Sequence, residues 1–160
     1  MAYMKLIKRF ILKRPAEKRL AYFYGMVATD EQVWLLRDEN GDMLLFEDED
    51  GYPFVLPVWP TRSFAEMMAA NLDETFEAFN LPLSIFLDDL IVDIENDSGA
   101  ISIFPNENDT IIQTRDEIKE MIRILYQAEY FMLNGELYHK RNRIFIELPE
   151  QFCPIMSNNN

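Results

Sequence analysis

The chain has 160 residues, 49% of them hydrophobic, and a formal net charge of −13. The length suits one domain and the apolar share suits a real core, while no apolar run approaches the roughly 18 residues of a membrane span. So acidic a body excludes nucleic acid as a partner, because phosphates require a positive surface, and one cysteine, Cys153, excludes an internal disulfide.

The opening stretch, MAYMKLIKRFILKRP, carries Lys8 and Arg9 where a secretory signal needs continuous apolar residues, and no small-residue cleavage site follows. The expected location is a reducing cytoplasm. Tyr3, Leu6, Ile7, Phe10 and Ile11 fall on one helical stripe, with Lys5, Lys8 and Arg9 off it. The spacing predicts a basic amphipathic helix over residues 1–14. A helix this short does not persist alone in water, so its stripe needs cover. The expected cover is the protein's own acidic body or a second copy in a homodimer, with Lys5, Lys8 and Arg9 near carboxylates. An anionic membrane would repel the rest of the molecule and is not expected as a partner.

Pro15 breaks this helix and starts the next, over residues 15–27, with Leu20, Phe23, Tyr24 and Val27 inward. Residues 33–37 read as a strand. The segment 38–42 is a turn carrying Asn40-Gly41, and 43–47 is the return strand. Glu49-Asp50-Gly51 turns again into a third strand over 52–58. Pro57 and Pro60 cannot donate to a ladder, which places them at an edge or a strand end. Thr61 or Ser63 then caps a helix, and Ser63 with Glu66 has the capping-box spacing. The stretch Pro57-Val58-Trp59-Pro60 therefore reads as a strand-to-helix corner with Trp59 as its apolar plug. Tryptophan also suits interaction hot spots, so a peptide-binding Trp59 is the competing reading.

Residues 72–79 are acidic and read as a short helix broken by Leu81-Pro82. Ser84 caps a helix reaching about Asn96, with Ile85, Leu87, Leu90, Ile91 and Ile94 apolar, and Ser98-Gly99 ends it. Residues 100–104 and 110–113 are short strands. Thr114 and Glu117 form a capping box that opens a helix to about Tyr130, with Ile118, Ile122, Leu125 and Tyr126 inward. Residues 136–138 and 143–148 read as a final hairpin around the basic loop His139-Lys140-Arg141-Asn142-Arg143. The predicted fold is a single α+β domain over residues 1–160. An antiparallel meander of about five strands packs with four to five helices. The core spans 15–125, the basic helix 1–14, and a C-terminal extension with the hairpin 126–160.

Little catalytic chemistry is on offer. His139 has no neighbouring carboxylate, and no base orients Cys153 as a nucleophile. Clustered zinc ligands are lacking. Asp38, Asn40 and Asp42 mimic the start of a calcium loop, but Met43 stands where glycine is required. Asp89 and Asp93 lie one turn apart on the polar side of their helix, which marks a solvated face. The expectation is no cofactor, no metal and no catalytic residue.

The pieces Val33-Trp34, Asp50-Gly51, Pro57-Val58-Trp59-Pro60 with Phe64-Ala65, Leu81-Pro82-Leu83 with Phe86-Leu87, and Ile103-Phe104-Pro105 follow one another in order. In these the chain resembles the uncharacterised bacterial family catalogued as domain of unknown function 2750, over residues 17–123. The resemblance implies a small bacterial cytoplasmic α/β domain without a known activity, and it transfers no catalytic residue. Trp34, Pro57, Trp59 and Pro60 are its motif residues.

Two functional readings follow from the charge. Residues 30–109 carry twenty Asp/Glu against Arg37 and Arg62 alone. A non-enzymatic domain that binds a basic protein, as an acidic inhibitor or immunity-type protein would, exploits that field. Its candidate contact residues are Asp48, Glu49 and Asp50 at the acidic turn and Lys5, Lys8 and Arg9 on the first helix. The alternative is an enzyme with a carboxylate or tyrosine site that no motif marks.

Overall fold

A computed structural model of the chain describes residues 11–49, 51–109, 111–128, 130–133 and 136–139. The order of elements is α1 (Ala16–Asp30), β1 (Gln32–Arg37), β2 (Phe46–Glu49), β3 (Tyr52–Val58) and α2 (Arg62–Ala69). Then come β4 (Glu77–Pro82), a helix over residues 83–96 called α3, β5 (Ala100–Ile103) and β6 (Ile111–Gln113). Last are α4 (Arg115–Ala128), β7 (Tyr130–Leu133) and β8 (Glu136–His139). Among the described residues no helix is long and apolar enough to cross a membrane.

The fold is α+β, but its strands do not form one meander. β1 pairs antiparallel with β4, β7 with β8, and a four-stranded sheet runs β2–β3–β5–β6, with β3 and β5 parallel. The expected hairpin of β1 with the return strand begins correctly. Asp38 Oδ1 accepts from the N–H groups of Asn40 (2.8 Å) and Asp42 (3.0 Å), and Gly41 supplies the positive φ of 87° that this turn needs. The returning chain then pairs with β1 only through the Arg37–Met43 bridge and a bond from Leu44 N–H to the Leu36 carbonyl, 2.9 Å. It can go no further along that edge, because both backbone groups of Trp34 are already bonded to Trp59, at 2.9 and 2.8 Å. The chain peels away and β2 pairs with β3 instead.

The prolines explain why the Trp34–Trp59 contact is a single bridge. Val58 offers its carbonyl to Phe104 N–H at 2.8 Å, on the β5 side. Neighbouring residues of a strand point their backbone groups to opposite sides, so Pro57 and Trp59 face β1. Trp59 bonds there, and Pro57 has no donor to offer. The Leu36 carbonyl, which a continued ladder would have given to residue 57, accepts from Leu44. Pro57 is thus not on an edge strand, since β3 lies between β2 and β5. The β2 register stops at Val55, however, so beside Pro57 the ladder is open on that side.

Beyond Pro60 the cap is Thr61, whose Oγ1 accepts from Phe64 N–H at 3.4 Å. Ser63 sits inside the first turn of α2, so the Ser63–Glu66 box is not the cap. Phe64, Ala65 and Met68 are buried.

The predicted short helix over 72–79 is corrected: its second half belongs to β4, which pairs with β1 along six positions, Gln32↔Pro82 to Arg37↔Glu77. Pairing with a fully buried neighbour overrides the weak local preference of an acidic segment. Ser84 does not cap α3. Pro82 precedes the helix, and Leu83 N–H bonds to the Glu31 carbonyl at 2.9 Å. α3 contains a π-turn over Phe86–Leu90, closed by Ile91 N–H onto the Phe86 carbonyl. The extra residue shifts the phase of the helix. Phe86, Ile91 and Ile94 are buried, whereas Ile85, predicted to face inward, is 44% exposed. At the exit Gly99 lies against the Phe54 ring, which a Cβ at this position would displace.

The Thr114–Glu117 capping box forms in both directions, at 3.2 and 3.1 Å. Ile118, Ile122 and Leu125 are buried, but Tyr126 is 41% exposed and its hydroxyl donates to Glu31 Oε1 at 3.2 Å. The helix stops at Ala128, and the strand Glu136–His139 takes β7 as its partner. Residues 143–148, and residues 1–10 of the basic helix predicted over 1–14, lie outside the described residues; Ile11 is buried in the core.

α1 supplies Leu20, Phe23, Tyr24 and Val27 to the core, as its spacing predicts, and runs three residues further, to Asp30. It also buries Arg19. The guanidinium donates from Nε to the Phe104 carbonyl (2.9 Å) and from Nη2 to the Asp109 carbonyl (2.8 Å) and Oδ1 (2.6 Å). These bonds hold Phe104 in a left-handed conformation, φ 45°, which a non-glycine residue rarely adopts. Tyr24 donates to Gln113 Oε1 at 2.6 Å.

Trp59 is fully buried, and its Nε1 donates to the Pro105 carbonyl at 3.4 Å. Trp59→Ala should cost about 3–5 kcal/mol, read as a lowered urea midpoint with an unchanged slope. Burial first, and the charge of Glu117 second, push the Tyr24 phenol well above its ordinary value of 10.0. The unfolded chain loses that proton near its ordinary value while the folded chain keeps it. The contribution is therefore full below pH 10.0 and is lost as pH rises toward the folded value. In urea titrations Tyr24→Phe should be less stable at neutral pH by about 1–3 kcal/mol, because Gln113 loses its donor. Its further decline at alkaline pH should be shallower than that of the parent.

Candidate functional site

The corner after β3 does two things. It buries Pro57, Trp59 and Pro60, so Trp59 acts as a plug. It also delivers Arg62, whose guanidinium lies 4.9 Å above the ring of Trp34. Trp34 is 9% exposed, so the pair forms the border between core and surface. Of the candidate contact residues, Lys5, Lys8, Arg9 and Asp50 lie outside the described residues. Asp48 and Glu49 end β2, where Glu49 stands opposite Tyr52 across the hairpin turn.

Next to Arg62, α2 and β4 enclose a cleft of about 580 Å³. Arg62 and Glu66 contribute from α2, Arg37 from the end of β1, and residues 76–80 from β4 and the residue before it. Arg37 donates from Nε to Glu77 Oε1 at 2.8 Å and stacks 4.9 Å over the Phe79 ring. Asn80 Nδ2 donates to Gln32 Oε1 at 2.8 Å. The cleft offers hydrogen-bonding and ion-pairing groups beside two aromatic rings, Phe76 and Phe79. No sequence motif marks these residues. The only local hints are that Arg62 follows Pro60 by two positions and that Pro82 forces Leu81 into an extended conformation.

Residues 20–122 match DUF2750, a family of proteins of unknown function. The chain belongs to this family. No curated protein matches the sequence. The matched DUF2750 region begins within α1 and ends within α4. It contains the Trp34–Trp59 bridge, Arg62 and every residue that lines the cleft.

The DUF2750 region also holds the acidic face. Within α3, Asp88 is bonded by Arg115 Nη2 at 3.3 Å and approached by Lys119 at 3.9 Å. Arg115 Nε donates to the Leu87 carbonyl in the π-turn at 2.6 Å, and its backbone N–H to Glu95 Oε1 at 3.2 Å. These acids hold α4 against α3. Asp89, Asp93 and Asp97 are different. They recur every fourth residue, all are exposed, and none forms an ion pair with a described residue. Among the described residues no group of His, Cys, Asp and Glu could hold a metal ion.

The Arg62–Trp34 contact should couple by about 0.5–1 kcal/mol. A double-mutant cycle with Arg62→Ala and Trp34→Leu, followed by urea unfolding, measures it. Additive single effects would show that the stacking carries no energy.

Proposed function

We propose that the chain is a non-enzymatic binding domain that engages a basic protein through its acidic face. The observation that carries this reading is the unbroken charge of residues 63–114, which hold eleven Asp/Glu and no Lys or Arg. The row Asp89, Asp93, Asp97 forms no ion pair with a described residue. Like-signed carboxylates that make no internal ion pair add nothing to folding, and gathered on one face they repel one another. Facing a positive surface, the same field speeds encounter and rejects acidic competitors. The concrete form of this reading is an inhibitor or immunity-type protein acting in the bacterial cytoplasm, covering the positively charged surface of its target.

The test is affinity capture from the source cells with the parent and with Asp89→Lys/Asp93→Lys/Asp97→Lys. The parent should retain a protein of basic isoelectric point. The triple variant should lose it, as should the parent in about 1 M salt, where charges are screened beyond roughly 3 Å. An unchanged melting curve for the variant assigns the loss to binding. Equal capture by both proteins, or a partner that is acidic, would overturn the reading.

A further inference from the structure

Both backbone groups of Trp34 are directed at Trp59, and the Leu36 carbonyl at Leu44. Since these groups alternate sides along a strand, Val33, Leu35 and Arg37 turn theirs toward β4. The register gives them Leu81, Phe79 and Glu77 as partners. Ala78 and Asn80 lie between, so their N–H and C=O groups face away from β1. β4 has no second neighbour in its sheet, and no hydrogen bond from the described residues reaches the backbone of Ala78 or Asn80. Two donors and two acceptors in a row thus have no partner among the described residues.

That open edge lies in the cleft. Residues 76–80 are consecutive, and all five line it. Successive side chains of a strand stand on opposite faces of the sheet, so a cavity lined by a consecutive run follows the strand's edge. Natural proteins blunt such edges with proline, charge or a covering loop. Pro82 blunts the far end here, but at Ala78 and Asn80 no described strand or loop pairs with the edge.

We infer that the edge of β4 receives an extended segment of the partner as an added strand, and that this segment carries Lys or Arg. The inference rests on the proposed binding function and names where and how it operates. An exposed strand edge supplies affinity through main-chain hydrogen bonds and leaves specificity to the side chains beside it. The cleft itself carries Arg37, Arg62, Glu66 and Glu77, and the connection from α2 to β4 that leads into it adds Asp73 and Glu74, so acids outnumber cations there by two. Glu66, Asp73 and Glu74 form no ion pair with a described residue. Arg37 is neutralised by Glu77, while Arg62 lies over the Trp34 ring and keeps its charge, one cation against Glu66, Asp73 and Glu74. A second copy of the chain fits less well. It would bring another −13 charges to the seam and set the same three acids against their own copies.

The experiment follows backbone amide signals of the full chain during titration with a short peptide of alternating Lys and Val. A second titration uses the same peptide with N-methyl groups on alternate residues, which keeps the charge and removes the donors. The first peptide should shift the Ala78 and Asn80 amides and slow their exchange with solvent. The methylated peptide should bind about tenfold more weakly, the loss expected from one or two hydrogen bonds. Ala78→Pro should weaken the first peptide similarly, since the N–H it removes is not part of the β1–β4 ladder. The peptide comparison stands even if that variant folds poorly. Equal binding of both peptides without protection at Ala78 and Asn80 would overturn strand addition and leave the basic-partner reading intact. Binding of neither peptide, while the lysine variant still loses its partner, would overturn only the assignment to this edge. Protection of these amides by raised protein concentration alone would make a second copy the occupant.

Discussion

Two hydrogen bonds between Trp34 and Trp59 join β1 to the end of β3, and the placement of β2, β4 and α2 follows from them. β1 belongs to one sheet and β3 to another. This bridge is where the two sheets share backbone. Because it occupies Trp34, the returning chain after the 38–42 turn cannot pair along β1 and must pair with β3. Because Pro57 lies on one side of Trp59 and Pro60 on the other, the bridge cannot lengthen into a ladder. β1 is left with its opposite edge free for β4. Pro60 then turns the chain into α2, and α2 sets Arg62 over Trp34 and forms one wall of the cleft.

The interior polar groups reinforce the same architecture. Arg19 is 1% exposed and would be costly to bury alone. It reaches the Phe104 and Asp109 carbonyls and the Asp109 carboxylate, which locks the loop after β5 onto α1. Tyr24, Gln113 and Glu117 link α1 to β6 and the start of α4. Among the described residues no buried side-chain nitrogen or oxygen lacks a partner. Such networks make one arrangement of the elements far better than its neighbours, since displacing any element orphans a buried group.

The surface follows a different rule. Exposed ion pairs contribute only about 0–1 kcal/mol each. The acids of α3 that do structural work, Asp88 and Glu95, are those contacted by Arg115. The remaining carboxylates of α3, Asp89 and Asp93, are exposed and form no ion pair with a described residue. The π-turn contributes to this division. It buries Phe86 and Ile91 five positions apart and leaves Asp89 exposed, as Asp93 and Asp97 are.

Signals carried within a few residues were legible in the chain itself. The Thr114–Glu117 box, the inner face of α1, the third strand at residues 52–58, the Asp38–Asp42 turn and the Trp59 corner each depend on near neighbours, and near neighbours suffice for caps, turns and amphipathic periods. What depends on pairing across the chain was not legible. β4 becomes a strand only because β1 offers it an edge, β2 leaves β1 only because Trp59 holds Trp34, and the Glu136–His139 strand finds its partner upstream, in β7. Ile85 faces outward beside a π-turn that shifts the phase a regular period assumes, and Tyr126 stands at the margin of its stripe with its hydroxyl on Glu31. The cleft is the extreme case. Arg37, Arg62 and Phe79 come from three elements, and no local pattern relates them. Composition set the acidic charge and the apolar core; tertiary structure decided which carboxylates form ion pairs and which strand edges are paired, because both are settled by which elements become neighbours.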